Sequence, residues 1–165
     1  MGTEIERKYL VKKAEWRSHL QQMQKKFSKI GEKYCQGYIS TNNETTVRLR
    51  IVGNKGYLTI KGKTKGYTRS EFEYSIPVED AKQMLETLCS KPLIKKIRYK
   101  IKQGNFIWEV DEFLGENKGL IVAEVELESE EQKIELPDWI DREVNDKKYF
   151  NYSLIKYPYS QWKNN

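Results

Sequence analysis

The stretch Glu4-Ile5-Glu6-Arg7-Lys8-Tyr9-Leu10-Val11 carries three charges of mixed sign, Glu4, Glu6 and Lys8, spaced two apart. In a strand, side chains alternate between faces, so these three project together. A rise of roughly 3.3 Å per residue puts the two acidic positions about 6–7 Å apart. Their carboxylates can converge on one cation, and Lys8, further along the same face, can hold an anion. Two acids for a metal and one base for a phosphate is one reading. The other is an edge strand whose charged face lies in water, and the stretch by itself favours that one.

The chain of 165 residues is expected to form one domain, 1–165, with room for a real core. Only 38% of it is apolar and 33% is charged, so many charges must be accommodated. The acidic, alternating N-terminus has no apolar run of the signal-peptide kind. No segment approaches the ~20 apolar residues of a membrane span. Cys35 and Cys89 match no metal or redox spacing and are expected to be reduced thiols, which points to the cytoplasm. His19, the sole histidine, lies in a polar helical stretch, which argues against histidine triads and histidine-rich zinc sites. A net charge of +6 and a pI near 9.1 call for an anionic partner, either nucleic acid or a small polyanion such as a phosphate chain.

Residues 13–27 read as an amphipathic helix, with Trp16, Leu20, Met23 and Phe27 at three-to-four spacing. Residues 33–41 read as a strand with Tyr34, Gln36, Tyr38 and Ser40 on one face. Residues 45–52 alternate Val47, Leu49 and Ile51 against Thr46, Arg48 and Arg50. Gly53-Asn54-Lys55-Gly56 turns the chain into a hairpin partner at 57–61, followed by a basic loop at 62–66. Residues 68–76 set Phe72, Tyr74 and Ile76 against Arg69, Glu71 and Glu73. A second helix at 79–89 is apolar at Ala81, Met84, Leu85 and Leu88. Residues 94–102 oppose Ile97, Tyr99 and Ile101 to Lys96, Arg98 and Lys100. Residues 106–113 oppose Phe106, Trp108 and Val110 to Glu109 and Asp111. Residues 121–127 oppose Ala123, Val125 and Leu127 to the run Glu124, Glu126 and Glu128. Residues 137–141 read as a turn or helical link, and 150–162 as a terminal helix interrupted by Pro158.

That makes about eight strands, nearly all with one charged face, and the charges are sorted by strand: Arg48 with Arg50, Lys96 with Arg98 and Lys100, Glu71 with Glu73, Glu124 with Glu126 and Glu128. Like charges in file repel, and a solvated meander gains nothing from the sorting. A closed antiparallel eight-stranded β-barrel gives it a purpose if the charged faces point inward and the apolar faces outward, under the helices. The fold class is then α+β, mainly β, and the bore admits side chains or one small ligand. Charges in a dry bore would be costly. Water, metal ions and a counter-anion would fill it instead. Carboxylates suit Mg²⁺ or Mn²⁺, and arginine forks suit phosphate oxygens. On pattern alone the inward and solvated readings both stand.

The opening stretch resembles the ExExK signature of the CYTH family, the triphosphate tunnel metalloenzymes. The likeness continues in order through QGYI at 36–39, VRLRI at 47–51, YLTIKG at 57–62, RSEFEY at 69–74, KIRY at 96–99, WEVDEF at 108–113, VAEVELE at 122–128 and DREVNDKKYFN at 141–151. It is nearest to the short, single-domain bacterial members. The resemblance implies an eight-stranded tunnel with charged walls and metal-dependent chemistry on a triphosphate. By it, Glu4, Glu6, Glu124 and Glu126 look like metal ligands, with Asp111 on the same acidic wall. Lys8, Arg48, Arg50, Lys61, Arg69 and Arg98 look like the triphosphate-binding set. Glu71 and Glu73 match an acidic pair that orients basic groups or metal-bound water. Tyr38 and Lys96 match a tyrosine and a lysine that influence how the substrate is cleaved. The last block is one residue shorter than the family's usual pattern, so Asp146, Lys147 and Lys148 have no matched role.

The expected reaction is hydrolysis of inorganic tripolyphosphate to pyrophosphate and phosphate. One Mg²⁺ or Mn²⁺ would bridge phosphate oxygens and a second would activate water, while the basic wall aligns the chain. The enzyme alternatives are an adenylyl cyclase and a thiamine or nucleoside triphosphatase. The non-enzyme alternative is a polyphosphate- or RNA-binding module, although basic residues walled into a bore are not placed for nucleic acid. A small-molecule triphosphate is the expected partner, with no membrane, and the chain is expected as a monomer or homodimer.

Overall fold

A computed structural model of the protein describes residues 2–39 and 44–162. Ser40, expected beside Tyr38, lies outside the described residues. The strands are β1 (Gly2–Val11), β2 (Glu32–Ile39), β3 (Thr46–Val52), β4 (Lys55–Lys61), β5 (Thr68–Ile76), β6 (Ile94–Gln103), β7 (Phe106–Phe113), β8 (Ile121–Glu126) and β9 (Ile140–Glu143). The helices are α1 (Lys13–Lys26), α2 (Val78–Thr87) and α3 (Ser153–Lys156). Neighbouring strands run β5-β4-β3-β2-β6-β7-β8-β1, and β1 pairs again with β5, which closes an eight-stranded barrel. All of these pairings are antiparallel.

The charged faces do point inward. Apart from Asn117, the buried polar side chains are Glu4, Gln36, Arg48, Arg50, Thr59, Lys96, Arg98, Asp111 and Glu124, all on the bore side of their strands. The outward rows of β1, β6, β7 and β8 form a core of Tyr9, Tyr99, Ile101, Trp108, Val110, Ala123 and Val125. Helix α1 covers it with Trp16 and Leu20; the Trp16 ring lies 5.7 Å from Tyr99 and 5.0 Å from Trp139. Phe27, expected on that face, follows the helix end in extended conformation and is largely exposed. Helix α2 packs Leu85 on Leu49 over the other side, with Ala81 against Gly56. Leu88, read as part of its apolar face, is exposed. Cys35 and Cys89 lie under this helix as free thiols.

Toward one end the inward rows turn apolar at Leu10, Ile94, Phe113 and Val122. There Tyr149, Leu154, Ile155 and Trp162 pack on them and floor the bore. The segment that does this was expected as an interrupted helix. It forms only α3 and short 3₁₀ turns at Lys147–Tyr149 and Tyr159–Gln161, because it follows a curved apolar rim. The segment 137–141 was expected as a turn or link, yet Ile140 begins the ninth strand. With three charged residues in four, β9 has too little alternation to read from sequence. The open backbone edge of β1 makes it a strand, pairing Tyr9 with Glu143 and Val11 with Ile140. Arg7, pointing outward, fastens it with two hydrogen bonds to Glu143 at 2.9 and 2.5 Å. Among the described residues no helix is long and apolar enough to cross a membrane.

Trp16 has no exposed surface, and Trp16→Ala should lower stability by about 3–5 kcal/mol in urea unfolding; a loss below about 1 kcal/mol would contradict α1 as the cover of this core. The Arg7 hydrogen bonds hold the Glu143 carboxyl below its ordinary value of 4.5. Its stabilising contribution is therefore complete above that value and disappears as pH falls through the lower folded one. Glu143→Gln should lose stability relative to the parent at pH 7 and converge with it in acid, read from melting temperatures across pH.

Candidate active site

The bore holds a cavity of about 550 Å³. Its walls carry Glu4, Glu6, Lys8, Tyr38, Arg48, Arg50, Lys61, Arg69, Glu71, Glu73, Lys96, Arg98, Glu124 and Glu126, so fourteen of the expected site residues meet there. The exception is Asp111, expected as a metal ligand. It is 1% exposed, lies beneath Arg98 and Lys96 on the bore side of β7, and does not line the cavity. Its two oxygens are taken by Arg98 at 2.7 and 2.8 Å and by Lys96 at 2.6 Å. The register explains the contact, since Arg98 faces Asp111 directly across β6 and β7.

Sequence order sorts the charges and strand pairing gives them neighbours. On the acidic side Glu6 faces Glu126, and Glu109 faces Glu124, across adjacent strands. Such like-charge pairs oppose folding unless a cation intervenes. Lys8 supplies one to a member of each pair, donating to Glu6 at 3.0 Å and to Glu124 at 2.9 Å. Lys61 lies between Glu4, at 2.9 and 3.0 Å, and Glu71, at 3.2 Å. Burial, with Glu124 next to it, pushes the Glu6 carboxyl up to about 7. Burial also raises Glu4 and Glu126. Glu124 goes the other way: burial works against its charge, but Lys8, Arg98 and Lys96 outweigh it and hold the carboxyl well below the ordinary range.

The basic side is β2, β3 and β6. Arg48 donates to Thr59 at 3.0 Å and Glu73 at 3.3 Å, while its buried Nε has no acceptor. Arg50 donates to Gln36 at 2.9 Å. Burial, with Arg48 and Arg98 close by, pulls Arg50 down to about 9. Three cations surround one ring, that of Tyr34: Arg50 at 4.8 Å, Arg98 at 5.0 Å and Lys96 at 5.9 Å. Lys96 is buried deeply enough to titrate well below an ordinary lysine, Asp111 notwithstanding. It also donates to Asn151, which accepts as well from Gln36 at 3.3 Å. The other Gln36 contact is to the Tyr38 hydroxyl at 3.0 Å. Arg69 donates only to neutral oxygens, Gly62 O and Thr46 Oγ1.

Tyr34, Gln36, Thr59 and Asn151 are parts of this site that were given no role from the sequence, although Gln36, Thr59 and Asn151 lie within the matched blocks. Tyr34 lies outside every block, and its inward parity with Tyr38 is the signal that could have found it. Thr59 carries no charge, and Asn151 arrives with the floor segment. His19 stands on α1 outside the barrel, against Trp16 and Trp139.

Among the described residues no three carboxylate, histidine or cysteine groups stand together as a ready-made metal cage. The donor set nevertheless fits a hard divalent cation: Glu4, Glu6, Glu124 and Glu126 offer carboxylate oxygens on one wall, and burial beside other carboxylates pushes three of the four toward protonation.

The CYTH domain profile matches residues 2–154. An inorganic triphosphatase of Acetivibrio thermocellus is 47% identical over 164 residues, 99% of each chain. An inorganic triphosphatase of Nitrosomonas europaea is 34% identical over 125 residues, covering 72% of this chain and 81% of that one. The crystal structure of an inorganic triphosphatase superposes with a TM-score of 0.60 at 29% identity, covering 94% of this chain and 95% of the other. With the profile matched over nearly its whole length and a relative 47% identical across it, the chain belongs to the CYTH domain family.

Proposed function

We propose that the protein is a divalent-metal-dependent triphosphatase that hydrolyses inorganic tripolyphosphate to pyrophosphate and phosphate inside the barrel. The observation that carries this is the unbalanced basic wall. Among the described residues, Arg48 keeps a buried N–H without an acceptor, Arg50 donates to no carboxylate, and Arg69 donates only to neutral oxygens. Each is answered by an anion with oxygens on several sides, and a phosphate chain supplies one. The 47% identical relative, an inorganic triphosphatase over its full length, supports the same substrate.

The chain's own residues divide the work. Arg48, Arg50 and Arg98 hold the phosphates and take up charge that develops on the leaving pyrophosphate. Asp111 and Tyr34 fix Arg98 and Lys96 in place, so they position and do not react. Lys8 and Lys61 release their carboxylates when substrate and cation arrive, turning from internal counter-ions into phosphate contacts. Glu4, Glu6, Glu124 and Glu126 would hold Mg²⁺ or Mn²⁺. Bound there, the cation supplies neutralisation and orientation of phosphate oxygens. Glu71 and Glu73 stand near enough to Lys61 and Arg48 to keep them aligned. Water adds to a terminal phosphorus, the bridging P–O bond breaks, the bridging oxygen leaves on pyrophosphate, and one proton is released. The reaction and the unpaired thiols suit the cytoplasm.

Phosphate release from tripolyphosphate should require Mg²⁺ or Mn²⁺ and exceed cyclic AMP formation from ATP. Glu6→Gln and Glu124→Gln should each reduce it on the order of 100-fold or more, the scale of losing a preorganised electrostatic group. A folded protein that releases no phosphate with either metal would sink the reading. Tyr34→Leu should raise KM for tripolyphosphate about tenfold, as expected for lost cation–π support, while Tyr34→Phe keeps it near the parent value. Equal effects from the two would show that the ring's face is not what matters.

A further inference from the structure

We propose that the bore has a second opening, through the wall beside β1, and that orthophosphate leaves by it; this rests on the hydrolytic reading above. A pocket of about 500 Å³ is lined by Glu6, Arg7 and Lys8 together. Consecutive strand residues point to opposite sides, so a pocket against an intact wall meets only alternate ones. This pocket meets three in a row, so it reaches β1 along an edge, at Arg7, and not over one face.

The pairing shows why. One edge of β1 is occupied by β8 from Glu6 to Leu10. The other is divided. Strand β5 pairs from Gly2 to Ile5, and the Glu6 N–H donates to Tyr67 O at 3.1 Å. Strand β9 then takes over, with Val144 N donating to Lys8 O at 3.0 Å. Between the two, the loop before β5 and the segment after β9 diverge and bound the gap, with Thr64, Gly66 and Tyr67 on one side and Val144, Asn145 and Lys147 on the other. Outside, Arg7 is held by Glu143, with its guanidinium 5.0 Å from the Tyr67 ring. Inside, Glu6, Lys8, Arg69 and Phe150 line both this pocket and the main cavity, so the two adjoin across these side chains.

Chemistry and topology agree on what passes. Arg7, Lys8, Arg69 and Lys147 line the gap; Glu143 offsets Arg7, and Glu6 with Glu124 offsets Lys8, which leaves Arg69 and Lys147 to favour an anion. The floor of the bore is apolar and packed. A phosphate chain that enters by the open mouth has its far end against that floor. A phosphate cleaved from that end lies behind the pyrophosphate and has no way back past it. The gap opens beside Lys8 and Arg69, with Val144 of the floor cluster and Phe150 at its rim.

The test fills the gap from either bank with Thr64→Trp and, separately, Asn145→Trp, neither of which lines the main cavity. Single-turnover hydrolysis of tripolyphosphate, with enzyme in excess and Mg²⁺ present, should keep the parent rate. Steady-state kcat should fall about fivefold or more and show a burst of one phosphate per chain, as when release limits turnover. Two separate variants guard against one misfolding, and both are checked by thermal unfolding. An unchanged kcat in both overturns the exit, and so does a single-turnover rate that falls in step with kcat. A parent protein with no turnover at all counts against hydrolysis itself, which separates the two failures.

Discussion

Burying a file of charges is costly unless they find opposite ones, and the contact of Asp111 with Arg98 and Lys96 is the one on which the rest leans. Three buried groups satisfy one another there, with both carboxylate oxygens used. Removing one partner of such a set leaves an uncompensated buried charge, which is far worse than never having had it. The triad also sets the orientation of the bore. It turns Arg98 toward the cavity and pins Lys96 to Asn151, which ties the floor segment to the wall. Fold and site thus share a keystone that is itself hidden from the ligand.

Away from the triad, compensation is incomplete in a patterned way. The acidic wall uses lysines as provisional counter-ions, and Lys8 and Lys61 each bridge two carboxylates. The basic wall has fewer partners, leaving Arg50 on an amide and an aromatic ring. A cation on the first wall and a polyanion on the second would complete both at once. Either ligand alone completes one wall only, so the geometry couples the two. That coupling, and no single residue, is what separates this cavity from a generic basic groove.

Much of this was legible in the chain. Period-two alternation from Thr68 to Ile76, or from Ile94 to Lys102, gave strands at nearly the right limits, and sorting by sign gave the inward face. Sequence could not show what depends on partners far away. Strand β9 exists because β1 has a vacant edge, and Ile140 is its only apolar residue. Asp111 looks like any acid on an acidic row until Arg98 is found directly across from it. Tyr34, Gln36 and Thr59 are uncharged, so a reading that followed charge passed over them, although parity had already placed Tyr34 and Gln36 inside. Asn151 belongs to a segment whose course is set by the apolar rim it covers.

The opening stretch is where these levels meet. Glu4, Glu6 and Lys8 project together as their spacing required, into the cavity and not into the water that the stretch alone favoured, and the same strand also closes the barrel. Strand β1 is the only one in the described residues with three strand partners, β5, β8 and β9. A barrel stave has two edges, so three partners require that one edge be shared along its length. Sharing forces a seam, and the seam falls at Arg7, between the two inward groups that matter most to the acidic wall. The outward Arg7 is therefore neither idle nor part of the cavity lining. By fastening β9 through Glu143 beside Tyr67, it holds together a wall that the chain's topology obliges to part at that point.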